Sequence, residues 1–293
     1  MNKVIKKVEN KRTGDIKMKA FILAAGQGKR LLPLTAETPK TLVDVKGTTI
    51  LEYQLVTLAS CGVKDVVIIG GFEIEKLKNY AERYIAIHGL DIRLKMINNK
   101  DYATTNNLFS LWLAKDEMTT EFVVINGDNV FERKALSKVI AQKDMNVSIA
   151  IHKNQAYDNE DMKVRTNGDR VIEISKEIDN YAANGESIGL RAFRNSGIEA
   201  FKQALDSAMI KDVTRNAFFV RAIQHMIDMG ENVGWVDVTD FKYGELDFFE
   251  DLHHLEIEMS GLMKQTIMLH TNPAGLYART NGLYQPLMMK NVG

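Results

Sequence analysis

The chain contains little of what disulfide, cysteine-metal or membrane sites require. Cys61 is the single cysteine among 293 residues, so an internal disulfide and a cysteine metal cluster are both excluded. The histidines form no ligand spacing with carboxylates. No apolar run approaches the ~20 residues that a membrane span needs. We therefore expect a cytoplasmic protein without membrane insertion.

A net charge and proline-rich linkers are also missing. The 38 basic and 38 acidic residues cancel, which argues against nucleic acid as a partner of the whole chain. None of the four prolines marks an interdomain linker. Residues 1–17 are basic but lack the apolar core of a secretory signal. We expect them to form a flexible arm before a domain that begins at Met18.

Strand-like and helical patterns alternate in the first half. Apolar runs predict strands at 20–25, 66–69 and 122–125, and residues 92–97 are also strand-like. Helical spacing predicts helices at 50–59, 73–87 and 106–114. Continuous apolar strands separated by helices predict an α/β fold, with a parallel sheet covered by helices on both faces. Ligands of such sheets bind at the carboxyl ends of the strands.

The second half of the sequence has a different pattern of predicted elements. Short strands separated by turn residues predict a small mixed or antiparallel extension that carries an acceptor site. We expect one domain over residues 18–260. Residues 261–293 are apolar for a terminus, so we expect them to pack on the domain or on a second subunit, as in a homodimer.

A glycine-containing loop follows the first predicted strand. It reads L-A-A-G-Q-G-K-R over residues 23–30, with P-L-T at 33–35 and P-K at 39–40. Glycines let backbone N–H groups approach an anion, and Lys29, Arg30 and Lys40 add positive charge. The loop is not a Walker A loop, and Leu31 breaks the dinucleotide-binding pattern. A polyphosphate is the simplest ligand.

This loop resembles the signature of the nucleotidyltransferases that join a nucleoside triphosphate to a sugar phosphate or another phosphorylated alcohol. The family pattern L-A-A-G-x-G-x-R-L-x-P-L-T, followed by P-K, is matched at every position. The resemblance implies a mostly parallel, Rossmann-like sheet of the nucleotide-diphospho-sugar transferase type. It also implies that Arg30 holds the leaving pyrophosphate and Lys40 the α-phosphate or the attacking oxygen. The nucleotide-binding residues implied are Leu23, Ala24, Ala25, Gly26, Gln27, Gly28, Lys29, Arg30, Gly71, Asn106, Ser110 and Asp128.

Two acidic motifs resemble the magnesium-binding segments of the same family. Asp128 is the last residue of a Gly-Asp pair that follows a predicted strand. Asp247 is the last residue of a Glu-Leu-Asp segment that precedes a predicted helix. The resemblance implies that Asp128 and Asp247 bind the catalytic Mg²⁺, and that these two residues, Arg30 and Lys40 form the catalytic set. The alternatives from the residues alone are a turn at Gly127-Asp128 and a capping role for Asp247 at the following helix, which could coexist with metal binding.

The segment 98–114 narrows the choice of nucleotide substrate. It resembles the branch that uses CTP on phosphocholine, aminoethylphosphonate or inositol phosphate, and it lacks the Gly-rich segment of the UTP and dTTP enzymes. Asn106, Asn107 and Ser110 are expected to face the base or the acceptor, with helix capping as the alternative for Asn106. Lys176 and Glu186 are implied at the acceptor, beside Lys40 and Asn107. The alternatives are a solvated Lys176 and a purely structural Glu186.

The resemblance implies an enzyme of the EC 2.7.7 class that joins CTP to a small phosphorylated or phosphonate acceptor and releases pyrophosphate. Its product would be an activated precursor for cell-surface polymer or lipid decoration. Residues 215–221 carry two arginines where choline-type relatives carry acids, so a cationic acceptor is less supported. The alternatives are a UTP- or dTTP-dependent sugar-1-phosphate enzyme and a non-catalytic nucleotide-binding regulatory domain.

Overall fold

The computed structural model describes residues 18–211, 215–271, 277–280 and 283–286, and most strands of this part form one sheet. The strands are β1 (Lys19–Ala24), β2 (Asp65–Gly70), β3 (Arg93–Asn98), β4 (Phe122–Asn126), β5 (Asn129–Phe131), β6 (Val147–His152), β7 (Lys163–Asn167), β8 (Arg170–Ser175), β9 (Gly185–Phe193), β10 (Val233–Asp237), β11 (Tyr243–Glu245), β12 (Tyr277–Thr280) and β13 (Leu283–Pro286).

The central sheet has the strand order β3-β2-β1-β4-β9-β6-β10-β8-β7. Strands β3, β2, β1 and β4 are parallel. Strand β9 is antiparallel to both of its neighbours, β4 and β6. Strand β10 is parallel to β6, and β8 and β7 complete the sheet with antiparallel pairing. The predicted fold class, parallel in its first half and mixed in its second, is confirmed.

Helices cover both faces of this sheet. They are α1 (Ile50–Ser60), α2 (Ile74–His88), α3 (Asn107–Leu113), α4 (Arg133–Ala141), α5 (Ser196–Lys211), α6 (Val220–Asp228), α7 (Phe249–Glu258) and α8 (Ser260–His270). The three helices predicted in the first half correspond to α1, α2 and α3, each within one residue at both ends.

The two faces have separate cores because successive strand residues point in opposite directions. Ile22 packs with α1, α2 and α4 on one face. Phe21, its neighbour in β1, packs with α3, α5 and α6 on the other. Strands β1, β2 and β4 are thus apolar on both sides, which is why their sequences show continuous apolar runs. Strand β3 lies at the edge of the sheet, and its Arg93 and Lys95 are exposed.

A third apolar cluster holds the glycine-containing loop in place. It joins Leu31 of that loop and Leu246, beside Asp247, to Met259 and Met263 near the start of α8. Met263 is fully buried, although it lies beyond the predicted boundary at residue 260. The domain boundaries stay a prediction, since residues 1–17 and most of 272–293 lie outside the described residues.

The C-terminal strands β12 and β13 pair only with each other within the described part of the chain. In that same part, no helix combines the length and the apolar character that crossing a membrane would require.

Candidate active site

A cavity of about 720 Å³ lies at the carboxyl ends of β1 and β4. Its volume falls within the range of small-molecule sites. Because β9 is antiparallel to β4, the first residues of β9 reach the same end of the sheet, and Glu186 and Ser187 line the cavity. The cavity therefore lies between the glycine-containing loop and the mixed half of the sheet, where the ligand site was predicted.

Two short strands bring the acidic motifs together. Strand β11 pairs with β5, with Glu245 opposite Asn129, and Leu246 N–H donates to the Asp128 carbonyl at 3.1 Å. As a result, carboxylate oxygens of Asp128, Glu245 and Asp247 lie within 4.8 Å of one another. Three carboxylates are a suitable donor set for a hard divalent cation. The buried Asp128 Oδ1 has no hydrogen-bond partner within the described part of the chain.

Lys40 lies between two of these carboxylates. Its Nζ donates to Asp128 Oδ2 at 2.8 Å and to Asp247 Oδ1 at 2.5 Å. Burial alone would lower the pKa of Lys40, but the charges of Asp128 and Asp247 outweigh it and raise the pKa well above its usual value. Lys40 therefore stays protonated and neutralises part of the acidic cluster.

Glu245 is the third acidic residue, and the sequence analysis did not assign it to the metal site. Burial raises its pKa to about 8, and the nearby charges of Asp128 and Asp247 act in the same direction. A signal was available, because residues two apart in extended backbone point to the same side. That spacing places Glu245 beside Asp247.

Arg30 lies at the mouth of the cavity and is about half exposed. Its Nη1 is 3.9 Å from Asp247 Oδ2 and 3.8 Å from Glu160 Oε2, and its guanidinium carbon lies 4.7 Å from the centre of the Phe248 ring. Gln27 and Lys29 line a smaller adjoining cavity that also contacts Arg30. An anion at this mouth would meet Arg30 before it met the acidic cluster.

The alternative in which Asp247 caps the following helix is wrong. Asp251 Oδ2 accepts from Asp247 N–H at 2.8 Å and from Phe248 N–H at 2.7 Å, so Asp251 satisfies the start of α7. The Asp247 carboxylate is left free to face Lys40 and Arg30.

Amides and hydroxyls line the side of the cavity next to α3. Asn99 Nδ2 donates to Ser110 Oγ at 3.0 Å, and Asn107 Oδ1 accepts from Phe219 N–H at 2.7 Å. Asn106 Oδ1 accepts from Asn107 N–H at 2.8 Å at the start of α3, and Asn106 also lines the cavity. Both alternatives for Asn106 are thus compatible with its position.

The opposite side carries Lys176, Glu186 and Arg191. Lys176 Nζ is 3.1 Å from Glu160 Oε2. Glu186 Oε2 accepts from Tyr243 OH at 2.5 Å and from Asn154 Nδ2 at 2.8 Å. Burial raises the pKa of Glu186 despite these hydrogen bonds. Burial also lowers the pKa of Arg191 to about 10, and this residue was not singled out from the sequence.

The structure brings most of the predicted site residues to one cavity. Those that line it are Leu23, Ala24, Ala25, Gly26, Gly28, Arg30, Lys40, Asn106, Asn107, Ser110, Asp128, Lys176, Glu186 and Asp247. Gly71 lies behind this lining instead. A Cβ added there would lie 2.5 Å from Tyr102 Cβ and 2.8 Å from the Ala25 carbonyl oxygen, so Gly71 permits close packing of the cavity wall.

Comparison with known proteins agrees with this architecture. The profile described as Nucleotidyl transferase matches residues 19–242. CTP:phosphoglutamine cytidylyltransferase of Campylobacter jejuni is 31% identical over 258 residues, which cover 80% of this chain and 98% of that protein.

Two solved structures are similar over most of their length. The inositol-1-phosphate CTP transferase from T. maritima has a TM-score of 0.72 at 22% identity, covering 87% of this chain and 97% of that chain. The CTP:phosphocholine cytidylyltransferase of Streptococcus pneumoniae has a TM-score of 0.64 at 26% identity, covering 82% and 97%.

Proposed function

We propose that this chain, which belongs to the nucleotidyl transferase family, uses CTP to transfer a cytidylyl group to a small phosphorylated or phosphonate acceptor. Three of the similar proteins are named as CTP-using enzymes, which supports CTP as the nucleotide. The observation that carries the proposal is Lys40 held between Asp128 and Asp247, where the glycine-containing loop meets the acidic cluster.

The acidic cluster fits Mg²⁺. We assign Asp128 and Asp247 as its ligands and add Glu245, because all three offer a carboxylate oxygen within one small volume. Mg²⁺ prefers one or two carboxylates together with phosphate oxygens. When bound there, it would supply positive charge to offset the repulsion between the two anionic reactants.

The reaction follows from the charges of the reactants. An oxygen of the acceptor phosphate or phosphonate attacks the α-phosphorus of CTP, and the bond to the bridging oxygen of the β-phosphate breaks. Pyrophosphate then leaves with that oxygen. The attacking oxygen is already ionised near neutral pH, so no general base is needed.

The chain's own residues position and neutralise these groups. The N–H groups of residues 26–29 donate to the triphosphate, and Arg30 neutralises the leaving pyrophosphate at the mouth. Lys40, once Asp128 and Asp247 have another cation, is free to donate to the α-phosphate or the attacking oxygen. Fixed donors of this kind stabilise charge in the transition state without reorganising.

Pyrophosphate release with each of the four nucleoside triphosphates tests this function. The acceptors are phosphocholine, aminoethylphosphonate, inositol 1-phosphate, glucose 1-phosphate and phosphoglutamine. We expect release with CTP and Mg²⁺ and at least one of the non-sugar acceptors. Preference for UTP or dTTP with glucose 1-phosphate would favour the sugar enzyme, and no release with any pair would favour a regulatory domain.

A matched pair of variants ties the activity to the cavity. Asp128→Asn removes one charge from the acidic cluster and should lower turnover by about a thousandfold or more. Asp116→Asn makes the same change at an exposed site and should leave turnover unchanged.

The CDP- or CMP-linked product would then be a donor for a second transferase that builds a surface polymer or decorates a lipid.

A further inference from the structure

One charge on the floor of the cavity is not used in nucleotidyl transfer. Arg191 of β9 is only 2% exposed. Its Nη2 donates to Ser187 Oγ at 2.8 Å, and its guanidinium carbon lies 4.7 Å from the centre of the Phe219 ring. Its Nε and Nη1 are buried and have no hydrogen-bond partner among the residues that the structure describes. All three residues line the cavity.

The position of Arg191 in the sheet explains how it reaches the cavity. Its backbone pairs with Val124 and Ile149, below the carboxyl ends of β4 and β6. Its long side chain extends from there to Ser187, near the start of β9 and at the cavity floor. The guanidinium is therefore buried at the side of the cavity that is formed by the first residues of β9.

A second buried arginine shows what structural pairing looks like here. Arg194 Nη2 donates to the Val139 carbonyl at 2.7 Å and to the Ile140 carbonyl at 3.1 Å, near the end of α4. Arg191 has no carbonyl partner of this kind among the described residues. A buried guanidinium with unused donors carries a large desolvation cost, which an anionic ligand would offset.

Two glutamates that line the cavity have other partners and do not provide that anion. Glu186 is hydrogen-bonded to Asn154 and Tyr243, and Glu160 pairs with Arg30 and Lys176. Glu245 acts on Arg191 only through its charge, and no ion pair joins the two residues within the described part of the chain.

We propose that Arg191, together with Ser187, binds a carboxylate of the acceptor that is remote from its reacting phosphorus. The acceptor would then be a phosphorylated or phosphonate acid, such as an amino acid derivative. A planar guanidinium matches a carboxylate by paired hydrogen bonds. The Ser187 hydroxyl lies beside this guanidinium, at the position where the carboxylate would bind. The doubly charged phosphorus end goes to Lys40 and the metal site. This inference rests on the proposed function for the identity of the ligand as an acceptor.

Matched ligands that differ only by a carboxylate test it. Phosphoserine is compared with phosphoethanolamine, and 2-amino-3-phosphonopropanoate with 2-aminoethylphosphonate. Calorimetry measures binding to the full chain and to Arg191→Met, Arg191→Lys and the control Arg221→Met, since Arg221 is exposed and outside the cavity lining. The full chain and the control should bind the carboxylate member about 30-fold more tightly in at least one pair.

Arg191→Met should abolish that preference, and Arg191→Lys should retain part of it. The unfolding midpoint of Arg191→Met should be equal to or above that of the full chain, because an incompletely paired buried charge is removed. Equal binding of both members to the full chain overturns the proposal, as does binding of neither. An equal loss for both members in Arg191→Met also overturns it, because the acceptor phosphorus group would then be the ligand of Arg191.

Failure of the proposed function appears separately. It would show as an absence of pyrophosphate release with every nucleotide, and the binding comparison does not depend on turnover. A preference for the carboxylate members without any release would support Arg191 as an anion site while contradicting nucleotidyl transfer.

Discussion

On the proposed assignment, Lys40 and a divalent cation would compete for the same two carboxylates. Lys40 Nζ contacts both Asp128 and Asp247, which are the proposed metal ligands. Lys40→Met should therefore strengthen Mg²⁺ binding to the nucleotide-free protein, while lowering kcat by about a hundredfold because a donor to the reacting phosphate is lost. Calorimetry with Mg²⁺ and steady-state kinetics measure the two effects.

The exposed Lys143 provides the control for Lys40. Lys143→Met should leave both metal affinity and kcat unchanged. Weaker Mg²⁺ binding in Lys40→Met would show that Lys40 supports the metal site instead of competing for it.

Glu245 makes the acidic cluster sensitive to pH. Burial holds its pKa at about 8, above its ordinary value of 4.5. In the metal-free protein its contribution to folded stability is thus complete below about pH 4.5 and lost as the pH rises through about 8. Mg²⁺ requires the ionised carboxylate, so the increase in unfolding temperature that Mg²⁺ causes should grow between about pH 6 and pH 9.

Thermal unfolding with and without saturating Mg²⁺ at each pH measures this dependence. Glu245→Gln should flatten it, because no proton has to leave before the metal binds. A stabilisation by Mg²⁺ that is constant over the same pH range in the unmodified chain would rule out Glu245 as a ligand.

The conformation of the glycine-containing loop depends on one residue with a left-handed backbone, Gly28. Gly28 has φ +74°, and a Cβ there would lie 3.0 Å from Lys40 Cβ. Gly28→Ala should cost about 1 kcal/mol of stability and lower kcat/KM about tenfold or more, because Lys40 is displaced. Denaturant unfolding and initial rates measure the two losses.

Gly47 separates backbone strain from the contact with Lys40. It has φ +94°, with open space where a Cβ would project. Gly47→Ala should lose a similar amount of stability and keep its activity. Equal activity in the two variants would mean that Gly28 matters only for its backbone conformation.

The elements also show how far sequence reasoning reaches. Helices α1 to α3 and strands β1, β2 and β4 were predictable because each has a local period of 3.6 residues or a continuous apolar run. The glycine-containing loop and the two aspartates were predictable because they belong to contiguous motifs. The position of Arg191 in the cavity was not, since it depends on β9 pairing with β4 and β6, which are distant in sequence.

In the folded domain, α8 packs against the residues that hold the glycine-containing loop and Asp247 in place. Met263 is fully buried in the cluster that contains Leu31 and Leu246. Met263→Ala should lower the free energy of unfolding by about 3 kcal/mol. Met268 of the same helix is 75% exposed, so Met268→Ala should change it by less than about 0.5 kcal/mol. Denaturant unfolding compares the two, and equal losses would contradict this packing.

A homodimer through residues 261–293 stays a prediction, as does the flexible arm over residues 1–17. Helix α8 packs on α1 within one chain, so this part of the terminus has an intramolecular partner.

In the proposed reaction, the bond that breaks lies between the α- and β-phosphates of CTP. Parallel reactions with CTP labelled in the α- or the γ-phosphate, in the presence of Mg²⁺ and an acceptor that supports pyrophosphate release, identify the bond that breaks. We predict that the α-label moves to the acceptor product and the γ-label to pyrophosphate. Transfer of the γ-label to the acceptor, or no transfer of the α-label, would exclude cytidylyl transfer.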